Sequence, residues 1–458
     1  MRDPFEQYAQ IIESAQCYRV TGRVSEVVGL TVVAEGFLQP VGSMASLVRS
    51  CGSPIAAQVV GLRGDRSILM PLHDPQGVAA GDVVTSALGL QHVPVGRQML
   101  GTVLDGMGRA IEGNEGFTVE NYYPVYRSAP PALSRRPIDK LVATGIRAID
   151  AMNTVGCGQR VGVFAGTGVG KSVLMGMISR FTSASVTVVA LVGERGREVG
   201  DFLRKDLGEE GMKRTVLVVS TSDESPVLRV RAGFVATAVA EYFRDLGRDV
   251  LLMMDSTTRM AMAQRQIGLA AGEPPTTKGY PPSVFSLLPH MLERCGRTAS
   301  GSITGLYTVL VEGDDITEPV ADAMRGVLDG HLWLARDLAN RAHYPAVSVL
   351  ESISRVMPDV VDQEHLAAAR TVRSVLAVWA DIEDLVNIGA YTAGANVDFD
   401  VAVQCKPAID QFLVQGIDEP ADFHATKEQL LKLAGEIEGR RSQLTGQSGR
   451  AEVAAPAT

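Results

Sequence analysis

Apolar and polar positions change their period along this chain, and each period predicts a different architecture. Between residues 18 and 90, short apolar runs such as YRVTGRVSEVVGLTVVAEG, SPIAAQVVGLRGDRSILMPL and GDVVTSA are cut by Gly, Pro and Asp. Strands at that spacing predict a small antiparallel β-barrel or sandwich over residues 1–95. The proline-rich stretch YYPVYRSAPPALSRR predicts an extended linker, so residues 96–138 are assigned to a linker leading into a second unit. From 139 to 356 apolar runs alternate with helical patterns, as in a parallel sheet with crossover helices. Strands are expected at 160–164, 186–192, 215–220, 249–254, 305–312 and 346–350. From 357 to 446 segments such as DQEHLAAARTVRSVLAVWADIEDLVNIGAY carry helical periodicity and predict an all-α C-terminal domain. The small residues from 447 to 458 predict a frayed tail.

Composition narrows the class. With 458 residues, 46% hydrophobic and 21% charged, the chain has ordinary globular composition and room for two or three domains. Forty-three basic against fifty-two acidic side chains give a formal net charge of −9, which disfavours nucleic acid as a partner. The predicted barrel repeats that bias: residues 1–90 hold six Arg, no Lys, eight acids and four aromatics. A single-strand groove needs basic charge and stacking platforms together. Five scattered cysteines without a CxxC pair suggest neither a disulfide framework nor a zinc site. The first residues, MRDPFEQYAQ, lack a basic segment leading into an apolar one, and no window approaches a membrane span. The expected place is the cytoplasm, with at most peripheral membrane contact.

The strongest local signal is AGTGVGKS, comprising Ala165, Gly166, Thr167, Gly168, Val169, Gly170, Lys171 and Ser172. It follows the predicted strand RVGVF and precedes a helical pattern, the context a P-loop requires. Glycines let backbone N–H groups curl around an anion, and the helix N-terminus faces the phosphates. Lys171 supplies charge to the β and γ phosphates and Ser172 can hold Mg²⁺. Ala165 replaces the first glycine of the strict pattern at a position that needs only a small residue.

Ligands of open α/β sheets sit at the carboxyl ends of strands, so further candidates are sought there. Asp255 closes the buried run VLLMMD and can hold Mg²⁺ opposite Ser172, or cap the following helix. Glu194 stands two residues past an apolar run, where its carboxylate could orient and deprotonate the attacking water, with Arg195 on the γ phosphate. The competing reading is a solvated ion-pair cluster of Glu194, Arg195, Arg197 and Glu198. Arg355 lies five residues beyond the last predicted strand and is either an arginine finger for a neighbouring subunit or a surface ion pair. Tyr344, extended before Pro345, is either an adenine stacker or a packing tyrosine.

Taken together, RVGVFAGTGVGKSVLMGMI, VVALVGERGREVGDFL, LMMDSTTRMAMAQRQIGLAAGEPPTTKGYPPSVFSLLPHMLERCG, TVLVEGDDITEPVADAMRGVLDGHLWLARDLA and YPAVSVLESISRVMP resemble the ATPases of flagellar and type III secretion export. These are relatives of the rotary ATP synthase subunits, and the likeness runs from about residue 18 to about residue 415. The resemblance implies a homohexamer with an N-terminal β-barrel, a RecA-like P-loop ATPase core and a C-terminal helical domain facing export chaperones and secreted substrates. It implies ATP as substrate with Mg²⁺, Lys171 and Ser172 as phosphate and Mg²⁺ ligands, Glu194 as catalytic carboxylate, Asp255 at the Mg²⁺ site, Tyr344 on adenine and Arg355 as the neighbour's finger. Stator, regulatory and stalk proteins are implied partners, at the cytoplasmic face of the inner membrane. The segment EDLVNIGAYTAGANVDFD looks more like the flagellar branch. The alternatives are a rotary proton-translocating ATPase subunit, which the PPTTKGYPPSVFSLLPHMLERCG block weighs against, and a hexameric nucleic-acid translocase.

Overall fold

The computed structural model describes residues 19–49, 52–87, 91–113, 116–311, 313 and 317–453. The chain start and residues 454–458 of the expected tail lie outside these.

Six strands, β1 (Thr21–Val28), β2 (Thr31–Glu35), β3 (Met44–Val48), β4 (Ile55–Arg63), β5 (Arg66–Pro71) and β6 (Val83–Ser86), close into a barrel in the order β1-β2-β5-β4-β3-β6. Every pair is antiparallel. Side chains alternate across each strand, so Val32 and Ala34, Ala45 and Leu47, and Leu69 and Val84 fill the interior without exposure. Of barrel and sandwich, the chain takes the closed form, which leaves no sheet edge.

The stretch read as a linker holds more structure than its composition suggests. Strand β7 (His92–Val95) pairs with β10 (Asn121–Pro124), while β8 (Val103–Asp105) runs parallel to a core strand and carries β9 (Ala110–Glu112) at the sheet edge. The three-residue β8 and β9 are too short to show a period, and pairing with neighbouring strands fixes them.

A two-stranded pair, β11 (Leu141–Val142) with β12 (Val155–Gly156), precedes the core. The core sheet adds β13 (Arg160–Ala165), β14 (Val186–Val192), β15 (Thr215–Ser220), β16 (Asp249–Asp255), β17 (Gly296–Arg297), β18 (Ser302–Leu310), β19 (Gly330–Leu334) and β20 (Val347–Ser354). Its order is β20-β19-β13-β18-β16-β14-β15-β8-β9, with β17 against the start of β18. From β19 to β8 the strands are parallel, while β20 is antiparallel to β19. The expected 186–192 and 215–220 match to the residue. The short β19 was not expected, because GHLWL mixes Gly and His into a run flanked by helical patterns.

Both faces of the sheet are covered, which is why its strands read as continuous apolar runs. One face packs against the helices Pro226–Asp245, Thr257–Ala271, Pro282–Leu292 and Pro319–Val327. The other shares one apolar core with the helix Lys171–Phe181 and the C-terminal helices Gln363–Asn387, Val397–Leu413 and Phe423–Val453. The last helix continues to Val453, through the segment expected to fray from 447.

Candidate active site

The centre of the sheet sets the site. Strand β13 lies between β18 and β19 and ends at Ala165, and the loop that follows turns into the helix beginning at Lys171. Gly170 makes that turn at φ +92°, a conformation L side chains rarely adopt, and a Cβ there would touch the Tyr344 ring at 3.5 Å. Tyr344 therefore stands beside the last glycine of the phosphate loop, with its side chain half exposed. The β19–β20 register explains this: Val347 pairs with Leu334, which pairs with Ala165, so the start of β20 is level with the end of β13. Arg336 also closes on the loop, donating from Nη1 to the Thr167 carbonyl at 3.2 Å.

The Lys171 ammonium is paired with Asp255 and lies 4.0 Å from Glu194 Oε1. Asp255, the last residue of β16, accepts from the Thr308 hydroxyl at 2.8 Å. It does not cap the following helix: Ser256 does, its hydroxyl accepting from the Arg259 N–H. Its carboxylate is thus left for the phosphate loop. Ser172 is exposed at the second position of the loop's helix.

Glu194 is buried, 6% exposed, and bound by Arg259 Nε at 3.1 Å. Gly193 makes this approach possible, since a Cβ on it would lie 3.0 Å from the Arg259 Cβ. Burial, a hydrogen bond with Glu198 and the Asp255 charge push the Glu194 carboxyl up to about 7, against the pull of Lys171 and Arg259. The same hydrogen bond holds Glu198 below its usual range. Of the surface cluster considered as the alternative, only Arg195 and Glu198 pair, at 3.2 Å, while Arg197 pairs outside the motif with Asp201 at 3.6 Å, both arginines largely exposed. Glu194 differs from these exposed pairs in being buried, although its hydrogen bond to Glu198 joins it to one of them.

Arg355 is not at this edge. Its strand ends one residue before it and runs antiparallel, with Ser354 level with Gly330 and, through it, Val161. It was sought among the strand ends that face the ligand, and the antiparallel direction of β20 puts it at the other end of the sheet instead. Arg355 starts roughly 20 Å, about six strand residues, from the phosphate loop of its own chain. It is exposed and forms no ion pair among the described residues.

Sequence reasoning missed Arg259, Thr308 and Arg336. Arg259 was the most findable, since it lies in the first turn of a helix directly after a strand end, where side chains face the ligand edge.

A phosphate loop on a central parallel strand, with acids at the ends of two further strands of the same sheet, defines a P-loop ATPase with a RecA-like core. Residues 145–354 match the family model of the ATP synthase alpha/beta family, nucleotide-binding domain. Residues 361–432 match that of the T3SS EscN ATPase C-terminal domain, which extends the likeness past residue 415. The flagellum-specific ATP synthase of Bacillus subtilis is 48% identical over 431 residues, covering 93% of this chain and 98% of that protein. The type 3 secretion system ATPase of Xanthomonas euvesicatoria is 45% identical over 413 residues, covering 89% and 93%. Among solved structures, the assembled ATPase EscN from the enteropathogenic E. coli type III secretion system superposes with a TM-score of 0.85 at 41% identity, covering 90% of this chain and all of that one. EscN has also been solved in complex with its central stalk EscO, and that chain superposes at 0.83 with 40% identity. The chain belongs to the family of flagellar and type III secretion export ATPases, and it is an ATP-hydrolysing enzyme of that family.

Proposed function

We propose that this chain is the ATPase of a flagellar export apparatus, coupling hydrolysis to chaperone release and to the unfolding or delivery of export substrates. The flagellar assignment rests on EDLVNIGAYTAGANVDFD, which closes the helix Gln363–Asn387 and opens Val397–Leu413. The working unit is a homohexamer, peripheral to the membrane on its cytoplasmic side. EscN and its stalk EscO support a stalk protein as a partner. No helix among the described residues is long and apolar enough to cross a membrane.

In this reading the phosphate-loop amides and Lys171 bind the β and γ phosphates, and Tyr344 stacks on the adenine. The hard oxygen donors of Ser172 and Asp255 fit Mg²⁺. Held by these two residues, Mg²⁺ would supply positive charge against the charge that develops on the phosphates. Glu194 accepts the proton of the attacking water, and Arg195 approaches the γ phosphate. Arg355 stabilises the transferred group in the neighbouring subunit's site.

One observation carries this reading: Glu194 and Arg355 occupy opposite edges of one sheet in one chain. A site that uses both is complete only between two copies. Rings of Arg355→Ala alone or Glu194→Gln alone should both be inactive. After dissociation and reassembly at equal amounts, roughly one interface in four regains both groups if sites act independently, so phosphate release should exceed either parent. No recovery, with co-assembly verified, overturns the shared site.

A further inference from the structure

From Val414 to Pro420 the chain leaves the helix Val397–Leu413 in a run of exposed residues, and Gln415 alone among them is buried, at 3% exposure. Burying a primary amide is costly unless each polar atom finds a partner, and here each does. Its Oε1 accepts from the Arg147 N–H at 2.8 Å, and its Nε2 donates to the Gly145 carbonyl at 2.8 Å and the Glu419 carbonyl at 2.6 Å. Its backbone N–H donates to the Tyr344 carbonyl at 2.9 Å. One residue thus ties the C-terminal helices to the residues leading into the core and to the tyrosine beside Gly170.

The surroundings make the tie stiff. Arg147 reaches back to the same turn, donating from Nε to the Phe412 carbonyl at 3.0 Å and from Nη2 to the Val414 carbonyl at 2.6 Å. Gly145, at φ +75°, is pressed against Phe181, whose Cβ would lie 2.3 Å from any Cβ there. Gly145 cannot drift without disturbing the helix that begins at Lys171 and ends at Phe181.

We infer that Gln415 is a positioning residue for nucleotide affinity: it fixes Tyr344 against the phosphate loop and so makes that affinity depend on where the C-terminal helices sit. The inference rests on the assignment of Tyr344 to the adenine. Gln415 meets no reacting atom, so its loss should weaken substrate binding and spare the chemical step.

The test is steady-state ATP hydrolysis by the full chain as wild type, Gln415→Ala, Gln415→Met, Tyr344→Ala and the Tyr344→Ala/Gln415→Met double variant. Gln415→Met keeps the side-chain length and removes all three side-chain hydrogen bonds, so it serves if Gln415→Ala fails to fold. Gln415→Met should raise KM for ATP roughly tenfold with kcat within about twofold, and should add nothing to KM in the Tyr344→Ala background. A purely structural role predicts the reverse, a lower active fraction and lower kcat at unchanged KM, and that result overturns the inference. Equal KM increases in both backgrounds would place the action of Gln415 elsewhere than Tyr344 and also overturn it. If Tyr344→Ala itself leaves KM unchanged, the adenine assignment fails, an outcome distinct from a Tyr344→Ala defect that Gln415→Met does not share.

Discussion

A carboxylate enclosed by protein and hydrogen-bonded to a second carboxylate gives up its proton late, and Glu194 is in that position. Its raised value means that the ionised base is scarce below about pH 7 and dominant above it. Measured from about pH 5.5 to about pH 8.5, kcat/KM should therefore climb about tenfold per unit and level off near neutrality. Glu198→Gln removes the carboxylate that holds the Glu194 proton, so the acid limb should move to lower pH, and an unmoved limb would assign it to another group. Lys171→Ala should abolish tight ATP binding, because it deletes the cation aimed at the phosphates. Glu194→Gln should keep binding of a fluorescent ATP analogue while turnover falls about 10²–10⁴-fold. Hydrolysis within about threefold of wild type would mean that another residue acts as the base. Both substitutions also alter a charge-balanced cluster, since Lys171 and Arg259 together face Glu194 and Asp255.

At the scale of elements, β20 is the piece that spans the site. It starts three residues after Tyr344, which lies beside the phosphate loop, and ends one residue before Arg355, so its antiparallel direction sets those two side chains at opposite ends of the strand. The elements around the core are held by a second, deeper device. Arg294 is fully buried, donating to both oxygens of Glu241 at 2.9 and 2.8 Å and to the Val125 carbonyl at 2.6 Å. That fork fastens the proline-rich stretch around Val125 to the helix Pro226–Asp245. Arg294→Ala strands a buried carboxylate and should cost about 3–5 kcal/mol, visible as a lower denaturation midpoint. The Arg294→Met/Glu241→Leu pair removes both charges and should lose far less. Equal losses would show that the ion pair itself, rather than an uncompensated charge, sets the stability.

For the whole molecule, the proposed shared site, with Arg355 remote from its own phosphate loop, makes activity depend on assembly. Specific activity should rise steeply with protein concentration through the measured assembly midpoint, because a finger supplied in trans is worth roughly 10³–10⁵ in turnover. Activity that stays flat well below that midpoint would remove the neighbour from the mechanism. One continuous apolar core joins the sheet to the C-terminal helices.

The sequence alone determined what depends on neighbours in the chain. Strands at 186–192 and 215–220, the phosphate loop between a strand and a helix, and the acid closing β16 are all written in contiguous periodicity and spacing. Only the tertiary structure decided which distant residues meet. Arg259 and Glu194 are 65 residues apart in sequence, Thr308 and Asp255 53, and Arg336 and Thr167 169. No local pattern encodes such meetings. Strands of three residues, such as β8, have no readable period until a partner strand gives them one. The edge at which Arg355 emerges depends on the direction of β20, and hydrogen bonding to β19 sets that direction, while the apolar content of β20 would serve either way.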